Sequence, residues 1–90
     1  MNKSALINQI KQCLLAQVDS QADIKIIDET HLHQKHKGYI EGKYHFLLEI
    51  ESSKLNSMSK ILAHKSIYKA VDELMPFIHA LSIKIKSEQN

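Results

Sequence analysis

The stretch "KYHFLLEI", residues 43–50, decides how the rest of the chain is read. Phe46, Leu48 and Ile50 fall on one side of an extended segment and His45, Leu47 and Glu49 on the other, because successive side chains of a strand point to opposite faces. A strand with one wholly apolar face packs that face on a core. This leaves His45, beside Tyr44, on the outer surface of the sheet. Two more stretches share the period. "IKIID", residues 24–28, is short and β-branched with Ile24 and Ile26 on one face. "HALSIKIK", residues 79–86, sets Leu81, Ile83 and Ile85 against Ser82, Lys84 and Lys86.

Between and before these strands the period changes. Residues 4–18 place Leu6, Ile7, Ile10, Cys13, Leu14 and Val18 at helical spacing, with Asn8, Lys11 and Gln12 opposite and Ser4 as the N-cap. "ESSKLNSMS", residues 51–59, reads as a turn-rich connection. From Ser59 a helical pattern runs through Ile61, Leu62, Ile67, Ala70, Val71, Leu74 and Met75 until Pro76 stops it, with Ser66 marking a break between a short helix and a longer one. The order is helix, strand, strand, helical region, strand. A helical crossover predicts that the last two strands run parallel. The expected fold is therefore a small α+β domain over residues 1–90, with helices packed on one face of a three-stranded sheet, a long hairpin loop at about 29–42 and a frayed tail at 87–90.

Composition narrows the function classes. At 43% hydrophobic and 24% charged residues the chain is ordinary for a folded domain. The lone cysteine, Cys13, rules out an internal disulfide and a four-cysteine metal site within one chain, and its place in the apolar stripe makes it a small buried hydrophobe. No targeting segment is visible, and no run approaches the roughly 20 apolar residues of a spanning helix, so a cytoplasmic protein without a membrane partner is expected. All twelve basic residues are lysines, with a net charge of +2. Lysines hold phosphates, but arginine is the usual reader of guanine edges. No glycine-rich phosphate loop and no hydrolase or metalloprotease motif is present, so an enzyme is not expected.

The chemistry is concentrated in histidines. "HLHQKH", residues 31–36, holds His31, His33 and His36, and spacing leaves open a metal site, a pH-sensitive loop or a polar hairpin tip. In an extended segment His31 and His33 would point the same way. His79, at the opening of the third strand, is the best further ligand. Structural zinc needs four protein ligands and catalytic zinc three. Two histidines therefore make a half-empty site, to be completed by a partner, a thiol cofactor or a second copy. His64, with Lys60, Lys65 and Lys69, lies on a mildly basic helix face.

"IIDETHLHQKHKG", "YHFLLEI", "HKSIY" and "FIHALSIK", from about Ile24 to Lys86, together resemble the BolA family. The resemblance implies a class II KH-like fold of order αββααβ. It also implies an adaptor that binds a monothiol glutaredoxin and shares a [2Fe–2S] cluster with it, acting in iron–sulfur cluster trafficking and iron homeostasis. The family's strand histidine falls on His79 and its loop ligand on His33, with His36 as a second loop histidine. The glutaredoxin cysteine and glutathione would supply the other ligands, so the isolated chain is expected to be a monomer without a cluster. The alternative is a nucleic-acid-binding transcriptional regulator working through His64, Lys65 and Tyr68. The motif "AHKSIY" has Ala63 and Lys65 where relatives often carry arginine, which counts against that activity. Duplex binding is accordingly expected to be weak, salt-sensitive and almost indifferent to sequence, as titrations of several duplexes at two salt concentrations will show. A preference of roughly a thousandfold for one site at high salt would favour the regulator.

Overall fold

In the computed structural model, which describes residues 2–33 and 44–87, three strands form one sheet. Strand β1 is Asp23–Asp28, β2 is Tyr44–Glu51 and β3 is Ile78–Lys86. The central strand is β2. It runs antiparallel to β1, with Ile24 opposite Ile50 and Ile26 opposite Leu48, and parallel to β3, with Leu48 opposite Ile83 and Ile50 opposite Ile85. The parallel pairing expected from the helical crossover is therefore present, and the mixed three-stranded sheet is that of the expected α+β, KH-like class.

The apolar face of β2 is the floor of the core. Phe46, Leu48 and Ile50 are at most 1% exposed. Helix α1, Lys3–Gln17, lays Leu6, Ile10 and Leu14 on them, one turn apart, and these three side chains are fully buried. Helix α4, Lys60–Ala70, adds Ala63, Ile67 and Ala70 from the same side of the sheet.

Helix boundaries depart from the sequence reading in several places, through side-chain caps at α1, at α4 and in the connection before α4. The N-cap of α1 is Asn2, not Ser4: the Asn2 backbone is extended and its Oδ1 accepts the Ala5 N–H at 2.8 Å. The connection at 51–59 holds a one-turn helix, α3, at Ser53–Asn56, capped by Ser52, and Ser59 caps α4 through the Leu62 N–H. The break between helices therefore lies before Ser59, whereas Ser66 sits inside α4. Beyond Ala70 the chain tightens into a 3-10 helix, Asp72–Phe77, with Pro76 inside it. Val71, Leu74 and Ile78 are still core residues, now three to four positions apart. A further one-turn helix, α2, occupies Thr30–His33 in the expected hairpin loop.

A buried polar bolt joins the two ends of this arrangement. Asp19, after α1, accepts the Gln21 N–H at 2.9 Å on Oδ1 and the Ser52 hydroxyl at 2.7 Å on Oδ2. Ser52 Oγ accepts in turn from the Leu55 N–H at 3.1 Å. The Gln21 N–H, then the Ser52 hydroxyl, hold the Asp19 carboxyl below its ordinary range against the opposing effect of burial. A carboxylate with a depressed folded-state value stabilises the fold fully above its unfolded value, about 3.9, and loses that contribution as pH falls through the folded value. Urea denaturation is expected to show Ser52→Ala less stable by about 1 kcal/mol at neutral pH through the lost cap. Asp19→Asn should flatten the loss of stability between neutral pH and the acid limb.

Candidate histidine site at one end of the sheet

The site begins where β1 ends. Asp28 Oδ1 accepts the Thr30 N–H at 2.9 Å and also the Thr30 hydroxyl, while Oδ2 pairs with Lys3 Nζ at 3.3 Å. Burial pushes the Asp28 carboxyl up, but the two Thr30 bonds and the Lys3 ammonium outweigh it, so the carboxylate form is favoured. Thr30 Oγ1 also accepts the His45 N–H at 3.2 Å, and the Glu29 N–H donates to the His45 carbonyl at 2.8 Å. One threonine hydroxyl thus links the carboxylate that ends β1 to the backbone of β2. These bonds hold the α2 turn, which packs against β2, at the position of His45.

His45 itself is 6% exposed, which corrects its expected place on the sheet surface. Alternation does turn it away from the helices, but that face is covered at this end of the sheet. Its cover includes the His79 ring, whose centroid lies 4.7 Å from that of His45 at an interplanar angle of 49°. His79 reaches it through a change in register. Tyr44 faces Ile78 but His45 faces Ala80, so β3 carries one extra residue, His79, in a bulge. The half-buried His79 is therefore fixed near the start of β3, as expected of it.

The other residues of interest separate into distinct places. The backbone of His33 closes the α2 turn, three residues beyond Thr30, and His31 in the same turn is exposed. His36 lies outside the described residues. His64 is on α4, its Nδ1–H donating to the Lys60 carbonyl at 2.8 Å, beside Ile83, Lys84 and Ile85 of β3 and away from His79. Lys65 is exposed, and the Tyr68 hydroxyl donates to the Leu81 carbonyl at 3.1 Å, tying α4 to β3. Cys13 is half-buried rather than buried, and lines a groove of about 670 Å³ with Gln9, Gln17 and Tyr68.

The structure thus pairs His79 with His45, a residue that strand alternation alone puts on the sheet surface. A signal for the bulge was present in "IHAL": Ile78 and Leu81 are both apolar and three apart, which strict alternation cannot place on one face. Chemically, the two rings bring imidazole donors suited to borderline metal ions to one spot. Among the described residues no three His, Cys, Asp or Glu side chains converge, so this end of the chain offers part of a ligand set. The threonine link is testable by amide hydrogen exchange. Thr30→Val, which keeps the shape and removes the hydroxyl, is expected to speed exchange at the His45 N–H and destabilise the fold by about 1–3 kcal/mol, whereas Thr30→Ser retains both.

A family model described as BolA-like protein matches residues 15–90 of the chain. No curated protein matches its sequence. Among solved structures, the BolA domain of SufE1 from Arabidopsis thaliana is 28% identical, with a TM-score of 0.71 over 97% of this chain and 95% of that one. BolA1 from Arabidopsis thaliana is 23% identical, with a TM-score of 0.69 over 91% of this chain and 90% of that one. A bol-like protein from Babesia bovis is 18% identical, with a TM-score of 0.67 over 97% of this chain and 85% of that one. The last two are similar in fold.

Proposed function

The chain belongs to the BolA-like protein family, and from that premise we propose that it is an adaptor that binds a monothiol glutaredoxin and shares a [2Fe–2S] cluster with it. The observation that carries this reading is the His79–His45 ring pair beside the clamped α2 turn. His79 supplies one imidazole ligand. Its backbone is set by the bulge and its ring by His45, so little ordering entropy is lost when a partner arrives. His33 supplies the second ligand from the end of α2, a turn that Asp28 and Thr30 anchor next to His45 and hence at the same end of the sheet.

Such a donor set is incomplete by design of the assembly: the glutaredoxin cysteine and a glutathione thiol supply what this chain lacks. Imidazole in place of thiolate on one iron raises the reduction potential of a cluster of this type. The chain's own part is to present nitrogen ligands on a rigid sheet end and to exclude water from one side of them. Cluster handling of this kind belongs to iron–sulfur trafficking and iron homeostasis, and calls for no catalytic group on this chain.

Visible absorption and circular dichroism of the reconstituted complex test the reading. His79→Ala is expected to abolish the histidine-ligated spectrum. His33→Ala is expected to weaken or alter it, with His31 or His36 as substitutes from the same connection, and His64→Ala to leave it unchanged. The isolated chain, purified without oxygen, should be colourless. An unaltered spectrum for His79→Ala removes the centre of this proposal.

A further inference from the structure

Among the described residues the exposed large apolar side chains are Met58, Ile61, Leu62, Tyr68 and Phe77, and the first three belong to one patch. Ile61 and Leu62 are 70% and 57% exposed on the outer side of α4, with Met58 in the α3–α4 turn just before them. Met58 and Leu62 line a shallow groove of about 330 Å³ together with Lys65, Ser66 and Lys69. Ile61 and Lys65 are one helical turn apart, as are Lys65 and Lys69, so hydrocarbon and ammonium groups alternate over this face.

The charge over most of this face has one sign, although Asp72 and Glu73 share a groove with Lys69 at the end of the helix. No aspartate or glutamate occurs between Ser52 and Val71. The ion pair found among the described residues joins Lys3 to Asp28, which leaves Lys60, Lys65 and Lys69 without an acidic partner there. Lys54 is different, since its charge acts on the Asp19 carboxylate.

The kind of surface that can cover such a patch follows from what the patch lacks. A second copy would set lysine against lysine. A nucleic acid would occupy the lysines but press Ile61 and Leu62 against phosphate, with no arginine to read bases. Tyr68, the nearest aromatic, instead lines the groove beside Cys13 and donates its hydroxyl to Leu81. A specific protein partner is usually anchored by Trp, Tyr or Arg; the chain has no Trp or Arg, and Tyr68, at the edge of this face, already commits its hydroxyl to the Leu81 carbonyl. What remains is hydrocarbon among ammonium groups, which are point charges without a directional fork. That combination matches a hydrocarbon layer beneath diffuse negative charge.

We propose that the outer face of α4 is a peripheral docking surface for an anionic lipid bilayer. Met58, Ile61 and Leu62 enter the boundary between headgroups and acyl chains, and Lys65 and Lys69 engage the headgroups. Docking of this kind needs no spanning segment, and among the described residues no helix is long and apolar enough to cross a membrane. It also leaves the histidine end clear. The α3–α4 turn lies by Ile85 and Ser87, and the six residue steps along β3 from His79 to Ile85 span roughly 20 Å.

The test is flotation of the full chain with phosphatidylcholine vesicles containing about a third phosphatidylglycerol, and with pure phosphatidylcholine vesicles, at low and high salt. Binding is expected on the anionic vesicles alone and is expected to fall with salt. Ile61→Ser with Leu62→Ser, which leaves the charge untouched, should lower it by about tenfold or more, as should Lys65→Gln with Lys69→Gln. These side chains are exposed, and far-ultraviolet circular dichroism checks that the variants fold. His79→Ala should float like the parent, so failure of the glutaredoxin reading and failure of this one are separable. No binding to the anionic vesicles, equal binding to neutral ones, or indifference to the Ile61 and Leu62 changes overturns the proposal. Tighter binding of a DNA duplex or of an acidic amphipathic peptide, lost in the same variants, would also overturn it and assign the face to that class.

Discussion

One extra residue in β3 sets the chemistry of this end of the molecule. Counting back along β3 from Ile85, Ile83 and Leu81, strict alternation would drive His79 into the core and leave Ile78 outside. The bulge reverses both outcomes: Ile78 is 4% exposed and His79 lies against His45 on the opposite face of the sheet. The parallel β2–β3 pairing survives on both sides of it. A polar ring is thereby kept out of a small core and placed where a second imidazole is already held. The pairing of His79 with His45 depends on that register shift.

The strand that receives the bulge is itself held at both ends by side-chain bonds to turns. At its start, Thr30 accepts the His45 N–H and donates to Asp28. Just past its end, Ser52 donates to Asp19 and caps α3. In each case a short hydroxyl side chain accepts from a backbone N–H and donates its own O–H to a carboxylate kept ionised by its neighbours. Such links are short-range and rigid, which suits a domain whose core is a single layer of side chains between one sheet and two helices. They also divide β2 into two ends with different surroundings, histidines at one and, near the other, the α3–α4 turn with Lys54 and Lys60 on either side of it.

Much of this fold was legible because period is a strong signal where one face is buried. The three strands, their faces, the parallel crossover and the residues of α1 that meet the sheet all follow from alternation at two or at three to four residues. What misled was the outer face of β2. Alternation tells which side a residue takes, but not whether that side is covered, and His45 is covered by elements distant in sequence. Ser4 and Ser66 mislead for a related reason: in sequence they look like Ser52 and Ser59, which do cap helices, and only the local backbone decides which serine caps one. The nine-residue β3 was legible in its second half and obscure at the bulge, where Ile78 and Leu81 break the period. His79 was marked by its position at a strand opening, and by a family resemblance that periodicity alone does not supply.

The burial of His45 bears on why this end of the sheet is built as it is. An imidazole taken from water gives up its solvent hydrogen bonds, and whatever partners it finds inside largely restore what was lost. A valine or leucine at the same strand position would carry no such debt and would suit a β-strand better. A small domain has little stability to spare, since a chain of this size buries a modest fraction of its surface. A buried histidine touching a second histidine at a bulge is therefore a local departure from what the fold alone requires. Departures of this sort concentrate where a site must be held in shape before its partner arrives. The rigid frame of bulge, ring pair and threonine link is the kind of support that fixes a side chain in advance: the threonine holds the backbone of His45, and the bulge and the His45 ring hold His79.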